Sequence, residues 1–138
     1  MGPVTINGEL FDYEINRHIL NGLVVNECII SPSGINTTEF YQIDLTISND
    51  GTPLITNLQN YKFPLVSGKG LAEVFIEILN SYVGGGLKSS SNNLQCHKIV
   101  GEFRTESATR IWEKLLSNGL AIYDIVEDRY IFVSPIKN

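Results

Sequence analysis

The stretch LVSGKGLAEVFIEILNSY, Leu65–Tyr82, sets two glycines one residue apart in front of a run with helical periodicity. Apolar residues recur in this run at i, i+3, i+4, i+7, i+8 and i+11, the spacing that forms one face of an α-helix. They are Leu71, Val74, Phe75, Ile78, Leu79 and Tyr82. Because three consecutive glycines, Gly84–Gly86, follow the run, the pattern predicts a glycine loop that leads into one amphipathic helix.

The residues before the loop have the two-residue period of β-strands. Within Glu39–Ile47 the apolar face is Tyr41, Ile43, Leu45 and Ile47, and the polar face is Gln42, Asp44 and Thr46. The turn sequence SNDG, Ser48–Gly51, favours a hairpin whose returning strand is Pro53–Phe63. Together with the segments Leu10–Ile15 and Gly22–Ile30, this pattern predicts a three- or four-stranded meander.

The second predicted helix is TESATRIWEKLLSNG, Thr105–Gly119. Thr105 or Ser107 can serve as its N-cap, and Gly119 fits the C′ position after its last turn. Its apolar stripe consists of Ala108, Ile111, Trp112, Leu115 and Leu116.

Shorter segments connect these elements. HKIVGEF, His97–Phe103, is a candidate strand, and the polar run SSSNN, Ser89–Asn93, is typical of a solvated connector. AIYDIV and RYIFV indicate a hairpin around Glu127–Arg129. The order of elements predicts an α+β fold with a mixed, mostly antiparallel sheet and two main helices, in one domain spanning residues 1–138.

Composition narrows the class of protein. Of 138 residues, 43% are hydrophobic and 18% are charged, which is typical of a globular chain. The net charge of −5 makes nucleic acid an unfavourable partner, because phosphate contacts need a basic surface. No apolar run approaches the ~20 residues that cross a bilayer, so we expect no membrane partner. Cys28 and Cys96 are too few for a disulfide framework or a thiolate metal site. We therefore expect free thiols, no metal and a cytoplasmic location.

The glycine loop has two interpretations. The free N–H groups at the start of a helix attract phosphate, and glycines let such a ligand approach the backbone closely. The loop lacks the Lys-Ser/Thr pair of a P-loop and the third glycine of a dinucleotide fingerprint. The alternative is a simple turn with a solvated Lys69.

Two stretches carry a resemblance to the GNAT superfamily of N-acyltransferases. Leu65–Leu79 resembles the pyrophosphate loop and following helix of that family, usually written Q/R-x-x-G-x-G/A. Ser107–Asp124 is similar to its later helix and strand, N-x-x-A-x-x-L-Y-E-K-L-G-F. The resemblance covers mainly the C-terminal half of the chain.

The resemblance implies a GNAT-like architecture and a site for acetyl-CoA or another acyl-CoA. The backbone amides that would hold the pyrophosphate belong to Val66, Ser67, Gly68, Lys69, Gly70 and Leu71. Thr105 would hydrogen-bond the cofactor arm, whereas Leu65 replaces the usual Gln or Arg and removes one side-chain contact. The strand before the loop and the short strand after the first helix would splay apart, with an open slot between them.

The same resemblance implies transfer of an acyl group to an amine of a small molecule or a protein. Trp112 stands where the family commonly has the tyrosine that protonates the leaving thiolate, and indole cannot act as an acid. Tyr123 or water would then supply the proton. The base that deprotonates the amine stays open between Asp44, Glu39 and His97.

Two other functions remain open at this point. A GNAT-fold module without catalysis, phage-related or part of an assembly, fits the missing tyrosine, and a homo-oligomer is a further possibility. A winged-helix nucleic-acid binder would use the helix and hairpin of Thr109–Val133. That segment offers only Arg110 and Lys114 on its helix and has an acidic hairpin, so its phosphate contacts would be poor.

Overall fold

The computed structural model describes residues 3–34, 40–61 and 70–133, and of residues 60 and 61 it describes the backbone alone. In chain order the elements are β1 (Val4–Ile6), β2 (Glu9–Leu20), β3 (Leu23–Pro32), β4 (Phe40–Ile47), β5 (Pro53–Tyr61), α1 (Leu71–Tyr82), β6 (Lys88–Ser89), a short 3₁₀ helix (Leu94–Cys96), α2 (Glu106–Ser117), β7 (Ala121–Asp124) and β8 (Arg129–Phe132).

The described strands form one eight-stranded sheet in the order β1-β2-β3-β4-β5-β6-β8-β7. Its neighbours are antiparallel except β5 and β6, which run parallel and are joined through α1. The predicted α+β class, the mixed and mostly antiparallel sheet and the two main helices are therefore confirmed.

The meander is longer than predicted, because it begins with β1. Asn7 and Gly8, both with positive φ (52° and 80°), turn the chain from β1 into β2. Strand β2 also continues to Leu20, beyond the predicted end at Ile15. Its outer half is exposed on both faces, so this half has no apolar alternation from which to predict it.

The core lies between one face of the sheet and both helices. It includes the predicted apolar face of β4, where Ile43 and Leu45 are fully buried. In α1, Leu71, Phe75 and Leu79 are buried as predicted, whereas Tyr82 is 48% exposed. Ile76, which is outside the predicted stripe, is fully buried. The buried face of α1 therefore includes Ile76 and excludes Tyr82, unlike the predicted face.

The two helices begin and end close to the predicted residues. Thr105 is the N-cap of α2, because its Oγ1 accepts a hydrogen bond from the backbone N–H of Ala108 at 3.1 Å. Gly119 follows the helix with a φ of 73°, as expected for a C′ glycine. Neither described helix is long and apolar enough to cross a membrane.

Two predictions for the connecting segments are wrong. His97–Phe103 is not a strand, because Glu102 accepts the backbone N–H groups of Ser91 and Lys98, and these turns fold the segment. The first three residues of the SSSNN run are not solvated either: Ser89, Ser90 and Ser91 are 0%, 3% and 0% exposed.

Candidate functional site

The most distinctive feature of the sheet is the place where β5 and β6 separate. These strands are paired only at Leu54–Lys88 and Ile55–Ser89. At the same level the pairing of β4 with β5 shifts by one residue, so that Thr56 is the extra residue of a β-bulge. Strand β6 ends at Ser89, and no described strand pairs with that edge of β5 beyond Ile55.

A narrow cavity of about 170 Å³ opens at this divergence; we call it the slot. Its lining consists of Ile55, Thr56, Asn57, Leu58, Ser90, Phe103, Arg104, Thr105, Ala108 and Trp112. The Oγ of Ser90 donates a hydrogen bond of 2.7 Å to the carbonyl of Ile55 and closes the end of the slot where the strands part. Ligand sites in sheets with parallel strands favour such crevices at the carboxyl ends of the strands.

The wall of the slot at the start of α2 is held rigidly by Arg104. Its Nη1 donates to the carbonyls of Ser90 at 2.8 Å and Asp128 at 2.9 Å, and its Nη2 lies 3.0 Å from Oδ1 of Asp128. The guanidinium also lies 5.1 Å from the ring centre of Tyr130. Sequence reasoning missed this residue, since an arginine beside a helix cap carries no sign of such distant partners.

Trp112 forms the floor of the slot. Its side chain is 1% exposed, belongs to the core and stacks on Tyr130 with ring centres 6.1 Å apart. Among the described residues that line the slot there is no Asp, Glu, His, Cys or Tyr. These walls therefore offer hydrogen bonds and apolar contact, and any proton must travel through water or through a group outside the lining.

Tyr123, the predicted acid, does not line the slot. Its hydroxyl donates a hydrogen bond of 2.7 Å to Oδ1 of Asp128, the carboxylate that also pairs with Arg104. That bond, more than burial, raises the pKa of Tyr123 above its ordinary value. A raised pKa makes the phenol a weaker acid, which is the opposite of what thiolate protonation requires.

Asp44, one of the three candidate bases, lies on the polar face of β4. Its carboxylate accepts hydrogen bonds from Gln42 at 2.9 Å and from Asn57 at 3.2 Å. Asn57 lines the slot, so Asp44 reaches the slot only through that amide. Glu39, the other carboxylate considered, lies outside the described residues.

The predicted cofactor loop is described only at its end. Val66, Ser67, Gly68 and Lys69 lie outside the described residues. Gly70 is the N-cap of α1 with a φ of 77° and has no side-chain hydrogen bond to the helix. The side chain of Leu71 is in the core. Thr105 lines the slot, although its Oγ1 already caps α2.

A larger cavity of about 780 Å³ lies on the opposite face of the sheet; we call it the outer cavity. It is lined by Leu20, Asn21, Gly22, Leu23, Val25, Thr46, Asn49, Thr56 and the segment 97–101. The hydroxyls of Thr46 and Thr56 lie 2.9 Å apart and hydrogen-bond each other. Thr56 lines both cavities, so the bulge separates the slot from the outer cavity.

Searches against models of known families, curated proteins and solved structures found no match to this chain. Within the described ranges, no group of three or more His, Cys, Asp or Glu residues is placed to hold a metal ion.

Proposed function

We propose that this chain is a small GNAT-like domain that binds an acyl-CoA with its acyl end in the slot and transfers the acyl group to an amine. The observation that carries the proposal is the end of the β5–β6 pairing at Ile55–Ser89, where the slot begins, lined by Ile55–Leu58 and by Ser90. The resemblance implies such a slot between the strand before the glycine loop and the short strand after the first helix. Gly70, at the start of α1, adds a left-handed turn where the resemblance implies the pyrophosphate loop.

The shape of the slot favours a slender ligand. At about 170 Å³ it is smaller than the ~300 Å³ at which drug-sized ligand pockets begin. A pantetheine arm is narrow and contains amide groups, which can pair with the backbone of a strand as an added strand would. Thr56–Leu58, which follow the last pair between β5 and β6 and line the slot, supply backbone groups, and Leu58, Phe103 and Trp112 supply apolar walls.

The chemistry would be direct attack of a neutral amine on the thioester carbonyl. The nitrogen–carbon bond forms, the carbon–sulfur bond breaks, the amine loses a proton, and the departing thiolate takes one up. Because the described lining holds no group for these transfers, water would carry the protons. Holding the reactants in the correct orientation would supply most of the rate.

A second function is favoured by the same lining. With Trp112 buried in the floor and no Asp, Glu, His, Cys or Tyr among the described lining residues, the slot suits binding without chemistry. The chain would then be a silent GNAT-like module that acts through a bound ligand or a protein partner.

Filling the slot is expected to abolish acyl-CoA binding. In the parent protein, acetyl-CoA at a hundredfold excess over its dissociation constant stabilises the fold by ~2.7 kcal/mol. The midpoint of thermal unfolding then rises by about 5–10 °C. Ala108, 8% exposed and in the slot wall, becomes Phe in the test variant, and affinity falls by about a hundredfold or more.

Ser107→Phe is the matched control, because Ser107 is exposed on the same turn of α2 and does not line the slot. This variant should keep the full thermal shift. A parent protein that shows no shift, or an Ala108→Phe protein that folds and keeps it, contradicts the proposal. An assay for free CoA thiol in the presence of acetyl-CoA and a panel of amines then distinguishes the two functions. Acyl transfer releases the thiol, and binding without chemistry does not.

A further inference from the structure

We propose that the outer cavity is a second ligand site, which binds a small carboxylate with an apolar body. This inference goes beyond the proposed function and does not depend on it. It rests on the size of the cavity, on an unpaired histidine nitrogen at its wall, and on the charges around it.

The outer cavity has the size and the walls of a small-molecule site. Its volume of about 780 Å³ lies within the ~300–1,000 Å³ that ligand pockets occupy. Leu20, Leu23 and Val25 form one apolar wall, and Ile99 lines the cavity beside the exposed Val100. Leu20 is 56% exposed and Val100 is fully exposed, so apolar surface at the rim is available to cover a ligand.

His97 supplies an unsatisfied polar group. It lines the cavity, and its Nε2 is buried without a hydrogen-bond partner in the described part of the chain. A buried polar atom without a partner is costly and rare in native proteins. Rotation of the His97 ring toward the cavity would let a ligand oxygen accept a hydrogen bond from Nε2–H and remove this cost, and the amides of Asn21 and Asn49 offer further donors around it.

The charges around the outer cavity favour an anionic ligand, although the chain as a whole is acidic. It contains 15 Asp and Glu residues and has a net charge of −5. No described residue that lines the outer cavity is acidic, whereas Lys98 is a cation and His97 is a possible hydrogen-bond donor. Lys98 is fixed by Asp50, whose carboxylate lies 2.7 Å from its Nζ. Asp50, which is next to the lining, is already paired with Lys98, so a cationic ligand would find no unpaired acid among the described lining residues. A carboxylate would find the donors of His97, Asn21 and Asn49.

Three probes with one ring system test the proposal by isothermal titration. They are indole-3-acetate, which is an anion, tryptamine, which is a cation, and 3-methylindole, which is neutral. Indole-3-acetate is expected to bind the parent protein at least tenfold more tightly than tryptamine, with 3-methylindole between them. Equal affinity for the two charged probes, or no binding of any probe at millimolar concentration, overturns the proposal.

Variants of His97 test whether the preference for indole-3-acetate over tryptamine arises in the outer cavity. His97→Phe keeps an aromatic ring and removes Nε2, so the preference for indole-3-acetate should fall about tenfold while 3-methylindole still binds. His97→Gln keeps a donor and should restore part of the preference. His18→Phe is the matched control, because His18 is the other histidine of the chain, is exposed and lies outside the lining.

The slot variant makes this test independent of the proposed function. Ala108→Phe, which fills the slot, should leave the binding of indole-3-acetate unchanged. Loss of that binding in Ala108→Phe, or an unchanged preference in a folded His97→Phe protein, contradicts the assignment to the outer cavity.

Discussion

Replacing Arg129 with Met is expected to lower the free energy of unfolding by ~3–5 kcal/mol. Arg129 is 0% exposed, and its Nη1 lies 2.6 Å from Oε2 of Glu102, which is 4% exposed. Its other N–H groups donate to the carbonyls of Ser89 at 3.0 Å and Cys96 at 2.6 Å. The substitution leaves a buried carboxylate without its cation and removes one donor from each of the two carbonyls. Urea unfolding measures the loss.

Arg110→Met is the control for this prediction. Arg110 also pairs with a glutamate, Glu106 at 3.4 Å, but both side chains are largely exposed, at 68% and 89%. An exposed pair of this kind contributes about 0.5 kcal/mol or less. If Arg129→Met and Arg110→Met lower the free energy of unfolding by the same amount, the buried pair does not stabilise the fold as we describe.

The pH dependence of the same variant provides a second check. Burial alone would raise the pKa of Glu102, but hydrogen bonds from Arg129, Lys98 and Ser91 outweigh it and lower the pKa below 4.5. The stability from this carboxylate is therefore present above pH 4.5 and is lost as the pH falls through the lower, folded-state pKa. Arg129→Met removes the main cause of this lowering. The free energy of unfolding of the variant should therefore approach that of the parent protein as the pH falls below 4.5.

Replacing Trp112 with Ala is expected to cost ~3–5 kcal/mol of stability. Trp112 is the largest side chain of the core, is 1% exposed and stacks on Tyr130. The variant loses this packing and merges the emptied space with the slot. Unfolding in urea followed by circular dichroism measures the cost, because Trp112 is the only tryptophan and its fluorescence is lost with it. A cost below about 1 kcal/mol would show that Trp112 is not a core anchor.

Helices and hairpins could be predicted from the sequence because their causes are local. The apolar spacing of α1, the N-cap at Thr105 and the C′ glycine at Gly119 each act within a few residues. The turn at Asn7–Gly8 was readable in the same way, as an Asn-Gly pair, and predicts the short strand β1 that the apolar pattern missed.

The candidate site could not be predicted in the same way, because it depends on distant pairs. The slot is lined by Thr56, where the register of β4 with β5 shifts, and by Ser90, which hydrogen-bonds Ile55, 35 residues earlier in the chain. The burial of Ser89–Ser91 depends on contacts with Ile55, Glu102, Glu127 and Tyr130. A polar run carries no local sign of such partners.

The surroundings of His97 could not be predicted from the sequence either. As a lone histidine beside Cys96 it was one of three candidate bases and had no visible partner. The fold adds what the sequence lacked, since the turns made by Glu102 bring the segment 97–101 over the outer face of the sheet. The same residue then borders a cavity formed by β3, β4 and the β2–β3 turn.

The central claim is that an acyl-CoA occupies the slot, and amide NMR during a titration with acetyl-CoA tests it most directly. We expect the largest shift changes at Ile55–Leu58 and at Phe103–Ala108, which line the slot or lie between residues that do, with small changes at the β2–β3 turn. The indole resonance of Trp112, on the slot floor, should move with them. Saturable changes in these regions would support the account. Changes confined to the outer cavity, or none at millimolar acetyl-CoA, would contradict it.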